Sequence, residues 1–309
     1  MPVDKLYIIG NGFDLQHGIK SRYRDFKKYL EDKDDDLVEK LEKYLGSDVL
    51  WSDFEETLAH LDTRKIIDEC SNYLESYGAE NWSDAYHHDY QYEVQKRIDL
   101  ITKILKERFT EWILQLHPPD NVEQSMVNID RKAVFINFNY TNTLERLYKV
   151  PTDRILYIHN KAIDSKSTLI LGHSRNPKNG KTLDELYNDQ YTDVRVAEGN
   201  RILDAYFVNT YKSTEKIINL NKIFFNRLSK VETIYVFGHS LSVVDKPYYQ
   251  GIVKRINKEK VIWKVSFHSK KDLINFKQFF MNLKIPNHNV TYDRISNIDS
   301  PQLTIFTKD

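Results

Sequence analysis

The chain lacks the features that mark several classes of protein. Its single cysteine, Cys70, cannot form an internal disulfide and lies in a helical pattern typical of a small core residue. No apolar run approaches the roughly 20 residues of a membrane helix, and the mean hydropathy is -0.59. The 45 basic and 45 acidic side chains cancel, so no net charge favours nucleic acid or a membrane surface. With an N-terminus that does not resemble a signal peptide, these features predict a soluble, cytoplasmic protein.

Glycine is also scarce, at 10 of 309 residues, so its position in the chain is informative. A predicted strand over Lys5–Ile9 is followed directly by Gly10, Asn11, Gly12, Phe13 and Asp14. This resembles the start of a dinucleotide-binding turn, but Leu15 stands where the third glycine belongs. Two interpretations remain open: a turn that approaches a nucleotide phosphate or ribose, or a tight turn in which Asp14 only caps a helix.

The segment from Phe135 to Glu145 is the most distinctive in the chain. An apolar strand over residues 133–137 changes abruptly into a polar cluster at the start of a predicted helix. One helix cap needs one such polar residue, and here there are five: Asn137, Asn139, Thr141, Asn142 and Thr143. Because ligands of open α/β sheets bind beyond the carboxyl ends of the strands, this excess favours a site.

Polar residues also follow several later predicted strands. His159 follows a strand over Ile155–Ile158, Gly172-His173-Ser174 follows one over Ser167–Leu171, and Gly238-His239-Ser240 follows one over Glu232–Phe237. Further strands are predicted over Val261–Phe267 and near Val290 and Leu303, and helices over Lys212–Leu228 and Leu273–Phe280. Residues 178–201, rich in Asn, Asp and Gly, are predicted to form a long surface loop or flap.

These elements predict an α/β fold: a doubly wound, mostly parallel, Rossmann-like sheet with an all-helical insertion after the first strand. In the insertion, apolar residues recur at intervals of three and four. The predicted domains are therefore 1–20 with 130–309, which form the α/β domain, and 21–129, which form the insertion. Within it, His87-His88-Asp89 does not have the spacing of a metal site, because adjacent helical residues point about 100° apart, and no metal is expected.

Three motifs carry a family resemblance. Ile-Ile-Gly-Asn-Gly-Phe-Asp-Leu-x-His-Gly at residues 8–18, Asn-Tyr-Thr-Asn-Thr-Leu-Glu at 139–145 and Phe-Gly-His-Ser-Leu-Ser-x-x-Asp at 237–245 resemble the AbiH family of bacterial abortive-infection proteins. More distantly, the same segments are similar to those that surround NAD in the sirtuin-like superfamily. The resemblance implies a sirtuin-like nucleotide-binding domain that acts in defence against phage.

What the resemblance implies can be placed residue by residue. Asn139 would orient the attacking water or a ribose hydroxyl, and His159 would be the base, with NAD or a related nucleotide as the substrate. A phage-derived trigger and a homo-oligomer are possible partners. Three residues depart from the superfamily pattern: Asp14 replaces a serine, Thr141 an aspartate and Asn160 a glycine. The nucleotide would be held by Gly10, Asn11, Gly12, Phe13, Asp14, Asn142, Gly238, Ser240 and Asp245.

Two other functions remain open from the sequence. Gly238-His239-Ser240-Leu241-Ser242 is one glycine short of the nucleophile elbow of a serine hydrolase, and Asp272 and His288 follow in the required order. The other alternative is a site that binds a nucleotide signal without catalysis. His159 could equally be a buried histidine that hydrogen-bonds the backbone, and Ser240 a helix cap. His17, His173 and His239 are expected near the site without an assigned role.

Overall fold

A computed structural model describes residues 3–78, 87–186 and 193–298. Within these ranges, six strands form one sheet in the order β3-β2-β1-β4-β5-β6, and every neighbouring pair is parallel. The predicted α/β, Rossmann-like fold is therefore confirmed. The strands are β1 (Lys5–Ile9), β2 (Val134–Asn137), β3 (Ile155–Tyr157), β4 (Thr233–Phe237), β5 (Ile262–Ser266) and β6 (Val290–Asp293).

Helices make up most of the remaining described chain. Up to β2 they are α1 (Asn11–Gln16), α2 (Tyr23–Lys33), α3 (Asp35–Leu45), α4 (Ser47–Leu50), α5 (Phe54–Thr57), α6 (Thr63–Cys70), α7 (Asp89–Asp99) and α8 (Leu105–Gln115). A π-helical segment, Leu100–Ile104, joins α7 to α8. After β2 they are α9 (Thr143–Tyr148), α10 (Leu183–Leu186), α11 (Val194–Asn209), α12 (Thr214–Leu220), α13 (Lys222–Asn226), α14 (Lys246–Val253) and α15 (Lys270–Asn282).

The central strands are buried on both faces, which explains their nearly continuous apolar sequences. In β1, Leu6 and Ile8 pack into one core cluster and Tyr7 and Ile9 into another, as the two-residue period of a strand requires. The ring of Tyr7 stacks on Phe135 of β2 and on Tyr235 of β4, with centroids 5.0 and 4.5 Å apart. Helices α14 and α15 contribute to the first cluster and α1 and α9 to the second, so the sheet is covered on both sides.

The chain divides into two compact units. The first comprises Met1–Arg22, Ile113–Ile170 and Thr214–Asp309 and contains the sheet, and the second comprises Tyr23–Trp112 and Leu171–Ser213. The division differs from the predicted domains in two respects. Residues 171–213, expected in the α/β domain, belong to the second, helical unit, and residues 21–22 and 113–129, expected in the insertion, belong to the first unit. Within the described ranges, no helix combines the length and apolar character needed to cross a bilayer.

Three predicted elements differ from the structure. The strand expected over Ser167–Leu171 is wrong, since this segment only leads into an isolated bridge between His173 and Tyr211. The loop or flap expected over residues 178–201 is wrong where α10 and the first half of α11 lie, and its residues 187–192 are outside the described ranges. The helix expected over Lys212–Leu228 is divided into α12 and α13. The strand expected near Leu303 also lies outside the described residues.

Helix α11 was missed because the residues of its buried face are not a hydrophobic stripe. Arg195, Gly199 and Asn200 are buried there together with Leu203 and Tyr206. Asp193 begins the helix by accepting hydrogen bonds from the backbone and guanidinium of Arg195, and a side chain at Gly199 would meet the ring of Tyr90. Polar and glycine residues at helical spacing resemble a loop in the sequence, although here they face the protein interior.

The turns that follow β1 and β4 are in direct backbone contact. Gly10 N donates to Phe237 O at 2.9 Å, and Gly12 N donates to Gly238 O at 2.7 Å. A Cβ at Gly12 would lie 2.7 Å from Gly238 Cα, and one at Gly238, where φ is +64°, would lie 2.1 Å from Phe13 N. These glycines are therefore required because the two backbones approach more closely than any side chain permits.

The Gly12→Ala substitution tests how strongly the fold depends on this contact. Inside a helix, alanine is favoured over glycine by about 1 kcal/mol, so a net loss of stability must come from the contact with β4. We expect the free energy of unfolding to fall by roughly 2–4 kcal/mol in urea denaturation. Gly180→Ala is the matched control, because Gly180 is exposed and its nearest neighbour would be 3.7 Å from the new Cβ. A Gly12→Ala protein as stable as wild type would contradict the expectation.

Candidate functional site

The predicted site residues of the first unit follow the carboxyl ends of four adjacent strands. Gly10 follows β1, Asn139 follows β2, His159 follows β3 and His239 follows β4, and these strands lie in the order β3-β2-β1-β4. The direction of winding reverses between β1 and β4, and ligands of open parallel sheets bind at such a reversal. The topology therefore brings to one edge of the sheet loops that are far apart in the chain.

Asp14 is a buried carboxylate that joins the first of these loops to the second. It accepts hydrogen bonds from Thr141 Oγ1 and Thr143 Oγ1, both at 2.6 Å. Burial raises the pKa of Asp14 to about 6, although the two hydroxyls and the amide of Asn139 act in the opposite direction. Asp14 and Thr141 are thus hydrogen-bond partners of each other.

Asn139 is also buried and bonded to the first loop. Its Nδ2 donates to Gly10 O at 3.1 Å, and its backbone N donates to Asn137 Oδ1 at 3.0 Å. The amide group therefore connects the end of β2 to the end of β1. Its position at the edge of the sheet is as expected, and its amide nitrogen already has a protein partner.

The other residues expected to hold a nucleotide are in contrasting environments. Phe13 is fully buried in the core, where its ring packs against His17 and Tyr148. Asn11 is exposed, and its Nδ2 donates to Ser21 O at 2.9 Å. Asn142, before α9, and Ser240, after β4, have exposed side chains. The structure therefore leaves Asn11, Asn142 and Ser240 accessible, whereas the Phe13 ring belongs to the packing.

His159 lies beside a carboxylate and a second histidine. Its Nε2 is 3.9 Å from Asp245 Oδ1, and His239 Nε2 is 3.5 Å from Asp245 Oδ2. All three residues are at least 90% buried. Ser242 Oγ also donates to Asp245 Oδ2, at 3.1 Å. We call His159, His239 and Asp245 the imidazole-carboxylate cluster. It brings together the predicted base, a predicted nucleotide contact and a histidine to which the sequence assigned no role.

Aromatic rings enclose this cluster. Phe138, which immediately precedes Asn139, contacts both imidazoles edge to face, with centroids 5.5 Å from His159 and 4.3 Å from His239. Tyr248 lies 5.9 Å from His159, and Tyr249 lies 5.4 Å from His239. Rings exclude water, and electrostatic interactions between the histidines and the carboxylate are consequently stronger than they would be at the surface.

Asn160, directly after His159, has a backbone conformation that glycine commonly adopts. Its φ is +64°, in the left-handed region where asparagine is among the best-tolerated side chains. The side chain is exposed, and its Nδ2 donates to Thr168 O at 2.7 Å. The loop after His159 therefore makes a glycine-like turn at an asparagine.

His17 and His173 are two further buried histidines. His17 is buried between Phe13 O and the hydroxyl of Tyr148, with both ring nitrogens 2.6 Å from these partners, and burial lowers its pKa. His17 therefore lies beside Phe13 of the first loop, as expected, but has its own hydrogen-bond partners. His173 belongs to the second unit, where burial lowers its pKa to about 4.

A polar network around Glu145 is a feature that the sequence analysis did not identify. Glu145 accepts hydrogen bonds from Lys161 Nζ and Thr152 Oγ1, each at 2.6 Å, and from Tyr157 OH at 2.8 Å. Burial alone would raise the pKa of Glu145, but these donors outweigh it and lower the pKa. The sequence feature that could have indicated this network is Glu145 itself, the acidic residue that ends the motif over residues 139–145. The network ties α9 to β3 and to the loop after His159.

Comparison with known families agrees with this architecture. Residues 6–267 match the sequence model of the family described as Bacteriophage abortive infection AbiH, which covers most of the chain. The chain belongs to the AbiH family. The matched range begins in β1 and ends just after β5, so it includes the imidazole-carboxylate cluster and the loops around Asp14 and Asn139. Comparisons with curated proteins and with solved structures found no match.

The geometry of this AbiH chain does not support a serine hydrolase. Asp272 is engaged at the start of α15, where it forms a capping box with Ser269. His288 lies in an exposed turn before β6, at the amino edge of the sheet, whereas Ser240 follows the carboxyl end of β4. In a parallel sheet these ends face opposite directions, so Ser240, Asp272 and His288 are not a triad. Among the described residues, no group of three or more His, Cys, Asp or Glu is arranged to hold a metal ion.

The raised pKa of Asp14 predicts a specific pH dependence of stability. The folded chain binds this proton more tightly than the unfolded chain, so the stabilisation is complete at low pH and is lost as the pH rises through about 6. Relative to Asp14→Asn, wild type should lose roughly 3 kcal/mol of unfolding free energy between about pH 3 and pH 7. Urea denaturation across this range measures the difference.

The control for Asp14→Asn is Asp153→Asn, which makes the same chemical change at an exposed position. Its unfolding free energy should follow that of wild type across the pH range. If the Asp14→Asn curve ran parallel to wild type as well, Asp14 would not titrate in the manner expected of a buried carboxyl.

Proposed function

We propose that this AbiH chain is an effector of abortive infection that hydrolyses NAD, or a related nucleotide, at the bond between ribose and base. The observation that carries the proposal is the imidazole-carboxylate cluster at the carboxyl edge of the parallel sheet. His159 in this cluster is buried, 3.9 Å from a carboxylate and in ring contact with Phe138 and Tyr140, the two neighbours of Asn139 in the chain. Family membership supplies the context of phage defence.

The proposed reaction needs a base and a polar group that orients water. The water oxygen attacks C1′ of the ribose, the bond from C1′ to the nicotinamide nitrogen breaks, and its electron pair remains on the nicotinamide. The water proton passes to a ring nitrogen of His159, because histidine is the side chain that most often serves as a general base. Positive charge develops on the sugar and then on His159, and the carboxylate of Asp245 favours both.

Substrate contacts in this proposal come mainly from accessible polar side chains. Asn11, Asn142 and Ser240 are exposed at the edge of the sheet and would contact phosphate or ribose. Gly10, Gly12 and Gly238 contribute by allowing the two turns to meet, because the amides of Gly10 and Gly12 already donate to the β4 turn. Asn139 would orient water through its carbonyl oxygen while its nitrogen remains on Gly10.

An effector that destroys a central nucleotide must be inactive before infection. The proposal therefore includes a control step, in which a phage-derived component or self-association switches the hydrolase on. Assays of the purified protein consequently need two conditions, with and without a lysate of phage-infected cells. Nucleotide binding without hydrolysis in both conditions would instead support the sensing function.

The proposed function predicts the effect of removing the base and the orienting amide. Nicotinamide release from NAD, followed by chromatography, should fall roughly 100- to 10,000-fold in His159→Ala and at least about 10-fold in Asn139→Ala. His288→Gln, at the opposite edge of the sheet, is the matched control and should release nicotinamide at the wild-type rate. Equal rates in all four proteins would remove the catalytic assignment. Calorimetric binding of NAD without any release would leave only a binding function.

A further inference from the structure

In the loop that connects β4 to α14, polar contacts link Leu241 to His239 and His239 to Asp245. Leu241 is buried although its φ is +53°, a conformation that an L side chain rarely adopts. In this conformation its backbone N donates to Nδ1 of His239 at 2.9 Å. Nδ1 must therefore carry a lone pair, and the proton of the neutral ring is on Nε2.

The proton on His239 Nε2 faces one oxygen of Asp245. That oxygen, Oδ2, is 3.5 Å from Nε2 and also accepts from Ser242 Oγ at 3.1 Å. The imidazole and the hydroxyl from this loop thus both lie nearest to the same oxygen. The second oxygen, Oδ1, is the one that lies 3.9 Å from Nε2 of His159. The two oxygens of the carboxylate thus face two different sets of partners.

We infer that Asp245 is a positioning residue for His159 and that His239 holds Asp245 in the required orientation. The inference rests on the proposed function and names two residues that serve the same base. With a carboxylate at Nε2, His159 carries its proton on that nitrogen, and Nδ1 accepts the proton from water. An acid that fixes the tautomer of a histidine and stabilises its charged form is a general device of hydrolases.

The separation between His159 Nε2 and Asp245 Oδ1, at 3.9 Å, is longer than a hydrogen bond. Catalytic contacts are often long before a substrate binds and shorten as charge develops. The attraction between Asp245 and a protonated His159 is strong here because Phe138, Tyr140, Tyr248 and Tyr249 surround the two histidines with rings. Those tyrosines are the other titratable groups with rings against the imidazoles.

A ribose contact and a positioning role for Asp245 predict different kinetics. A carboxylate that binds the ribose diol contributes to substrate affinity, so Asp245→Asn would raise KM. A carboxylate that orients His159 contributes to the chemical step, so the same substitution lowers kcat and leaves KM nearly unchanged. For a substitution of His239, too, a raised KM indicates a loss of substrate binding and a lowered kcat indicates an effect on the chemical step. Either effect can act through Asp245, so His239 does not need to touch the substrate.

The first test uses nitrogen NMR of the histidine rings and does not depend on catalysis. Spectra of His159→Gln and His239→Gln assign the two rings. In wild type we expect His239 in the Nε2-protonated form, and neutral His159 in that form as well. In Asp245→Asn the titration midpoint of His159 should move to lower pH, because a negative neighbour is removed. An Nδ1-protonated His159 in wild type, or an unchanged midpoint, would overturn the inference.

The second test uses nicotinamide release. We expect kcat to fall about 10- to 100-fold in Asp245→Asn, while KM stays within about 2-fold of wild type. The acidic limb of the pH profile of kcat should move to lower pH, as the titration midpoint of His159 does. In His239→Leu, kcat should also fall, by part of the same factor. In His239→Gln, kcat should be closer to that of wild type, because the amide nitrogen of glutamine lies near the position of histidine Nε2. His288→Gln is again the control. A raised KM with unchanged kcat would overturn the positioning role.

The two tests also separate this inference from the proposed function. If wild type releases no nicotinamide under any condition, the proposed function fails, while the NMR result still decides whether Asp245 sets the tautomer of His159. If wild type is active and the Asp245→Asn midpoint is unchanged, the hydrolase stands and the positioning role is wrong. The wild-type tautomers can be measured even if Asp245→Asn does not fold.

Discussion

The contact between the turns after β1 and β4 is the constraint on which the site depends. It places two backbones so close that neither Gly12 nor Gly238 can carry a side chain. On one side it fixes Gly10 O, the acceptor for Asn139, and the start of α1, which carries Asp14. On the other it fixes the beginning of the loop that carries the imidazole-carboxylate cluster. Residues separated by more than 200 positions share one edge because these turns touch.

The buried polar groups around this contact are stabilised in different ways. Asp14 accepts from two neutral hydroxyls, which satisfy its oxygens but cannot cancel its charge, so its pKa is raised. Glu145 is less deeply buried and pairs with Lys161, so its pKa is lowered. Asp245 faces two imidazoles, one at each carboxylate oxygen. The same chemical group therefore meets three environments: neutral hydroxyls at Asp14, an ammonium at Glu145 and imidazoles at Asp245.

Much of the fold was predictable because buried parallel strands are nearly continuous apolar runs. β1, β2, β4 and β5 were expected close to their observed bounds, and the loops beyond the first three of these were expected at the same edge. Helix α11 was not predictable from hydrophobic period, because Arg195, Gly199 and Asn200 are buried by specific partners. Of the candidate site, the sequence indicated Asn139 and His159 through their positions after strands. It did not indicate that His239 shares Asp245 with His159, because the loop that joins them turns at a leucine with positive φ, for which the sequence carries no signal.

The polar residues of the loops after β1, β2 and β3 are better understood together than one at a time. Asp14 is a buried carboxylate that accepts from Thr141 and Thr143 at 2.6 Å, and an acidic side chain in place of Thr141 would bring two buried carboxylates into repulsion. Asn160 makes a left-handed turn of the kind that glycine adopts. These contacts use neutral donors, whereas His159, Asp245 and His239 bring ionisable side chains together at the same edge of the sheet. The proposed chemistry of this edge therefore depends on the imidazole-carboxylate cluster.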